Sequence, residues 1–160
     1  MDIYTIREHY GNARITDIPL RVAYYARVST EKEEQINALG NQLTYYEDYI
    51  KSCENWIFVQ GYVDEGLSGV SVNKRENFNR MLEDAANKKF DLIVTKEISR
   101  FARNTLDSIK YTRELLKQGV AVYFREDNIN TLDTDAELRL TIMASLAQDE
   151  SRKISNRVKI

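Results

Sequence analysis

The sequence predicts an α/β fold: a mainly parallel central sheet with helices on both faces, plus a long helix at the carboxyl end. Three observations carry this. Short apolar runs of strand length alternate with segments whose apolar residues recur at helical spacing. The runs are apolar at consecutive positions, as strands buried on both faces are. Residues 134–160 contain neither Pro nor Gly and are rich in helix formers.

Taken in order, residues 1–20 show no sustained period and end at Asp17-Ile18-Pro19, a boundary signal. They form an N-terminal extension, an extra strand or an arm, with no function assigned. The core spans 21–134. Val22 to Ala26 is an apolar, aromatic run and reads as a buried strand. A turn at 29–33 enters a helix marked by Ile36, Leu39, Leu43, Tyr46 and Ile50 on one face. Trp56 to Val63 reads as the second strand, and Asp64 to Gly69 as a loop with two glycines. Phe78, Met81, Leu82, Ala85 and Ala86 mark an amphipathic helix. Phe90 to Thr95 is a third strand. Leu106, Ile109, Leu115 and Leu116 mark a helix that Gly119 ends. Val120 to Phe124 is a fourth strand, and Asn128 to Asp135 a polar, acidic loop. Residues 135–160 read as one helix of about 39 Å, at about 1.5 Å per residue. Its first part is apolar (Leu138, Leu140, Ile142, Met143, Leu146), whereas its last part carries Arg152, Lys153, Arg157 and Lys159. Such a helix suits a subunit partner along its apolar half and a polyanion at its basic end.

Composition narrows the function. The 23 Lys and Arg against 25 Asp and Glu give a net charge of −2, which excludes a histone-like basic protein and leaves room for a local basic patch. One cysteine, Cys53, cannot form an internal disulfide, so a reducing cytoplasm is the expected location. No apolar run approaches the ~18 residues of a membrane span. No phosphate-loop or dinucleotide glycine motif occurs, and no His, Cys or carboxylate cluster has metal-ligand spacing. The expected chemistry therefore uses neither metal nor cofactor.

In a parallel sheet the site lies beyond the carboxyl ends of the strands. The segments there are Arg27 to Thr30, Asp64 to Arg75, and Lys96 to Asn104. Together they offer a hydroxyl nucleophile, Ser29, and four arginines: Arg27, Arg75, Arg100 and Arg103. A guanidinium holds a fixed charge and donates two parallel hydrogen bonds, which suits phosphate oxygens. Preplaced guanidiniums stabilise the charge that a phosphodiester gains under attack, and a serine beside them can form a covalent ester. The same residues also have plainer readings. Thr30-x-x-Glu33 is a capping box, compatible with an anion at that helix start. Arg100 and Arg103 share one face and could be solvated, and Arg75 could be an exposed helix start. His9, Cys53 and the stripe Tyr45, Tyr46 and Tyr49 read as surface or packing residues.

These segments resemble a known family. Tyr24-Tyr25-Ala26-Arg27-Val28-Ser29-Thr30 is similar to the nucleophile motif of the serine recombinases, the resolvase/invertase family. Asp64-Glu65-Gly66-Leu67-Ser68-Gly69 resembles its second motif, and Ser99-Arg100-Phe101-Ala102-Arg103-Asn104 its arginine motif. Ala144 to Arg152 resembles the start of its long interface helix. The resemblance implies that Ser29 attacks the scissile DNA phosphate, leaving a 5′-phosphoserine and a free 3′-hydroxyl. It implies that Arg27, Arg100 and Arg103 grip the phosphate with Arg75 assisting. Gln42, with Gln35 as a second choice, matches a site glutamine, and Asp64 an active-site acid. It further implies DNA as partner, a homodimer that pairs into a tetramer, and ligation without ATP. Ser99 stands where many relatives carry Asp before the first arginine. The spacing from Ser29 to Gln42 looks more like the large serine recombinases of mobile elements. Residues 135–160 would then begin the oligomerisation helix, with DNA-binding domains following in the parent protein. Two other functions are weighed beside this one: a non-catalytic oligomerisation or DNA-associated module of the same fold, and a small-molecule phosphate-binding α/β protein.

Overall fold

The computed structural model describes residues 3–11, 13–28, 33–65 and 75–158. Helix α1 (Ile3–Tyr10) and a 3-10 turn (Ile15–Asp17) lead into β1 (Leu20–Val28). There follow α2 (Glu33–Ser52), β2 (Trp56–Glu65), α3 (Glu76–Ala86) and β3 (Leu92–Thr95). A 3-10 turn (Ile98–Arg100) precedes α4 (Thr105–Lys117), and the chain closes with β4 (Ala121–Phe124), β5 (Ile129–Asn130) and α5 (Ala136–Val158). The strand order is β2-β1-β3-β4-β5, with β5 alone antiparallel. The expected parallel sheet is present.

Side-chain alternation along β1 divides the core. Val22, Tyr24, Ala26 and Val28 pack with Ile6 of α1 and Tyr46 and Ile50 of α2. Ala23 and Tyr25 pack on the other face with Phe78, Met81 and Ala85 of α3, Ile109 and Leu115 of α4, and Leu140 of α5. Both faces of the central strands are covered, which is why Val22 to Ala26 and Leu92 to Val94 are apolar at consecutive positions. The order places β2 and β3 on opposite sides of β1. The crossovers accordingly run on opposite faces, and a crevice opens between the carboxyl ends of β1 and β3.

Two glycines answer to geometry. Gly119 (φ 86°) ends α4 in a left-handed residue: its N–H donates to Leu116 at 3.0 Å, and Val120 N–H donates to Leu115 at 2.9 Å. Gly61 on β2 lies under Tyr24, where an added Cβ would stand 2.2 Å from the ring. Tyr24 itself stacks between Tyr46 and Phe58.

Two segments differ from expectation. The region before residue 21, expected as an extra strand or an arm, contains a helix. Ile6 is buried, and Arg7 spreads over three successive carbonyls: Leu132 (3.0 Å), Thr131 (2.8 Å) and Asp133 (3.4 Å). A helix of eight residues, with Ile6 the one buried apolar position among its described side chains, leaves no period to read. The acidic loop 128–135 contains the two-residue β5, which pairs Ile129 with Phe124 and Asn130 with Tyr123.

Candidate active site

The site is built on the carboxyl ends of β1 and β2 and on the turn after β3. Arg27 and Asp64 are register partners on β1 and β2. Alternation turns both toward the face that carries α3 and α4, the face of Tyr25 and Tyr62.

Asp64 is buried and fully engaged. It accepts the Tyr25 hydroxyl at 2.9 Å and the first backbone N–H groups of α3, Asn77 at 3.0 Å and Phe78 at 2.9 Å. A carboxylate from a strand end thus caps the following helix, where Arg75 supplies no side-chain cap of its own. Burial and the adjoining Asp64 push the Tyr25 phenol up, so it remains a donor.

That cap fixes Arg75, the residue before α3. Its guanidinium donates to the carbonyls of Phe101 (2.8 Å) and Ala102 (2.7 Å) and lies over the Phe78 ring. Its Nε is buried and has no partner among the described residues. Burial pulls the guanidinium below its ordinary value. The charges of Arg27 and Arg103 pull the same way, while Tyr25 and Asp64 oppose them. Arg75 therefore lies within electrostatic reach of Arg27, of Arg103 and of the buried Asp64.

The arginine turn is anchored by its middle. Phe101 is fully buried, edge-on to Tyr25, Phe78 and Phe124. Ala102 is buried too, and its N–H donates to the Oγ of buried Ser108 at 2.8 Å. The flanking Arg100 and Arg103 are exposed. The Phe-Ala pair is a staple, and the arginines on either side are thrown outward. Asn104 caps α4 by accepting Asp107 N–H at 2.9 Å. Asp127 caps the 3-10 turn by accepting Ile98 N–H at 2.7 Å.

A cleft of about 300 Å³ opens beside Arg75 and Arg103, lined also by Asn79, Asp107, Lys110 and Tyr111. These last four went unnoticed in the sequence. Counting in threes and fours along α4 from Arg103 reaches Asp107, Lys110 and Tyr111, which is the available signal.

The structure thus brings together Arg27, Arg75, Arg103 and Asp64. Arg100 is on the same turn as Arg103, with no described contact to the other three. Ser29, Thr30 and Gly66 to Gly69 lie outside the described residues. Gln35 and Gln42 belong to α2, and their side chains lie outside the described ones. Among the described residues no group of three or more His, Cys, Asp or Glu could hold a metal ion, and no helix is long and apolar enough to cross a membrane.

Comparison with known proteins adds a lineage. The family model described as "Resolvase, N terminal domain" matches residues 22–160. A resolvase/recombinase of Pseudomonas putida is 33% identical over 141 residues, covering 86% of this chain and 69% of that protein. The Tn3 transposon resolvase of Escherichia coli is 32% identical over 139 residues, covering 86% and 68%. A resolvase family site-specific recombinase from Streptococcus pneumoniae has a similar structure, with a TM-score of 0.70 at 27% identity over 88% of this chain and 93% of that one. The N-terminal catalytic domain of TP901-1 integrase matches with a TM-score of 0.60 at 26% identity, over 82% and 97%.

Proposed function

This chain belongs to the resolvase family of site-specific recombinases, and from that premise we propose that it is a catalytic domain that cuts and rejoins DNA through Ser29. The observation that supports this most is that Arg75, bound to the two carbonyls just before Arg103, lies within electrostatic reach of Arg27 on β1, the strand that leads directly into Ser29.

In the proposed step the Ser29 oxygen attacks the scissile phosphorus. An O–P bond forms to serine and the bond from phosphorus to the 3′ oxygen breaks. The serine proton leaves to solvent or a base, and the 3′ oxygen takes up a proton. The ester conserves the bond, so the reverse attack by a 3′-hydroxyl reseals DNA with no metal and no ATP. Arg27, Arg100 and Arg103 stabilise the charge that builds on the non-bridging oxygens. Arg75 works at one remove: it spends two donors on the carbonyls just before Arg103 and so sets where that side chain starts. Asp64 holds the start of α3 and with it Arg75. Gln42 remains assigned to the site by motif alone.

The outer side of α5 supports assembly. Leu138 and Leu146 are each 64% exposed and Ile142 is 51% exposed, one turn apart along the helix. This stripe is the proposed dimer and tetramer contact, and the exposed Arg152 and Lys153 beyond it would approach DNA. On this reading residues 21–134 are the catalytic core and 135–160 begin the oligomerisation helix.

The test is a covalent one. Full-length protein is incubated with a nicked suicide duplex bearing the ends of its own element, then denatured. A protein–DNA adduct is expected, lost in Ser29→Ala and unaffected by EDTA. An adduct that persists in Ser29→Ala would remove the nucleophile, and one lost in EDTA would point to a metal nuclease.

A further inference from the structure

The arginine turn is tied to α5 by a short series of side-chain bonds. Asp127 lies in the turn after β4, and its carboxylate holds Ile98 N–H at 2.7 Å, at the start of the 3-10 turn that ends in Arg100. The backbone of this same turn is gripped from α5: Arg139, in the first turns of that helix, donates to the carbonyl of Asp127 at 3.1 Å and to that of Asn128. Asn128 adopts φ 52°, a left-handed conformation that costs energy for a residue with a side chain and persists where its surroundings hold it. Backbone bonds join the two turns directly, Arg125 N–H to Thr95 (3.0 Å) and Glu126 N–H to Lys96 (2.8 Å). A second link runs through α4, whose Arg113 pairs with Glu137 of α5 at 2.6 Å and donates to Thr141 at 3.1 Å.

We propose that Asp127 and Arg139 are positioning residues, through which the seating of α5 sets the pose of the turn that carries Arg100 and Arg103. Neither faces the cleft, and neither is asked to touch DNA. A shift of the first turns of α5 pulls on the 127–128 carbonyls. The rigid, strained turn then carries the shift to Ile98, since packed and hydrogen-bonded segments move as units rather than deforming gradually. Arg139 lies three residues before Ile142 and so flanks the exposed stripe, where a partner seated on Leu138, Ile142 and Leu146 would act on the arginines through it. This inference rests on the proposed function for its chemical consequence and on the hydrogen bonds alone for its mechanical one.

Two readouts separate these. The first is amide hydrogen exchange of the full chain in wild type, Arg139→Ala, Asp127→Ala and Asp127→Asn. Arg139→Ala is expected to speed exchange at Ile98 to Phe101 by up to about 10-fold, the worth of one hydrogen bond, while amides of β1 stay unchanged. Asp127→Asn keeps an acceptor oxygen and is expected to keep Ile98 protected, whereas Asp127→Ala is not. The second is the rate of adduct formation. Arg139→Ala and Asp127→Ala are expected to slow it by roughly 10- to 100-fold with the DNA concentration at half-maximal rate unchanged, as for a misplacement of about 1 Å, and Asp127→Asn to restore it. Unchanged exchange at Ile98 in Arg139→Ala overturns the proposal. So does Asp127→Asn behaving like Asp127→Ala, or a loss of adduct that follows loss of DNA affinity. If Asp127→Ala does not fold, Arg139→Ala and Asp127→Asn decide. If wild type gives no Ser29-dependent adduct, the functional reading fails, and the exchange measurement still decides the coupling.

Discussion

The start of α3 and the turn after β3 each present arginine to the same cleft, and they do so in opposite ways. Arg75 is half-buried, aligned over an aromatic ring and committed to two protein carbonyls. Arg103 is exposed, and its charge is felt by Arg75 without a hydrogen bond to any described residue. The difference separates building a site from using it. A donor already paired with protein cannot gain much from a transition state, whereas one held in place by its neighbours and left open can. Identical side chains in one cluster therefore predict different kinds of failure.

The largest effect is expected from Arg103→Ala: loss of adduct formation by about 100- to 1000-fold, the usual cost of one charge-stabilising donor, with an unchanged melting curve. Retained cleavage would take Arg103 out of the reacting set. Arg75→Ala sharpens the contrast by failing in both assays. It leaves two carbonyls and a buried pocket without their cation, so roughly 2–4 kcal/mol of stability should go with the activity. Arg75→Lys should rescue little, because a point charge cannot span both carbonyls. If Arg75→Ala melts like wild type, the building role is wrong.

The outward stripe of α5 is a third kind of region, neither paired nor chemical. Ile142→Asp should weaken self-association by about 10-fold or more with the monomer's fold intact, since the side chain is half exposed. An unchanged sedimentation profile would count against that face. On the opposite side of the sheet from the cleft, Gly61→Ala drives a methyl group into Tyr24 and should cost about 1–3 kcal/mol in chemical denaturation. Any activity lost there should follow the unfolded fraction. The smallest effect lies at the far end of β1. Burial opposes the charge on Asp91, yet the hydrogen bonds and charge of Arg21 hold its carboxyl below the ordinary value. A lowered folded value means stability present above the ordinary carboxylate range and lost as pH falls through the folded value. Between pH 6 and 3 the melting temperature of Asp91→Asn should fall less than that of wild type, by an amount worth under about 1 kcal/mol for so exposed an arginine partner.

What was legible beforehand follows from range. The four parallel strands and the helices between them announce themselves through period, because burial on two faces or one stripe repeats every few residues. The cluster of Arg27, Arg75 and Arg103 could be placed at one edge of the sheet by topology alone. The work of Arg75 could not, since its partners stand 26 and 27 residues away and are carbonyls, which no residue type signals. Asp64 is similar: an acid in a motif, whose bonds to the start of α3 depend on how a strand end meets a helix it does not adjoin in sequence. Helix α1 and strand β5 are too short to show any repeat.

Helix α1 also bears on where this domain may be cut. The family match begins at residue 22, after α1 and the turn that follows it. An expression clone trimmed to that boundary would strip Ile6 from the underside of the sheet and Arg7 from the stretch of chain entering α5. Ile18 and Leu20 would go with them, and the greasy surface of their cluster, Trp56 and Leu132 among it, would then meet water. A preparation made that way would be prone to clump, and its oligomeric behaviour would report on the scissors rather than on the protein.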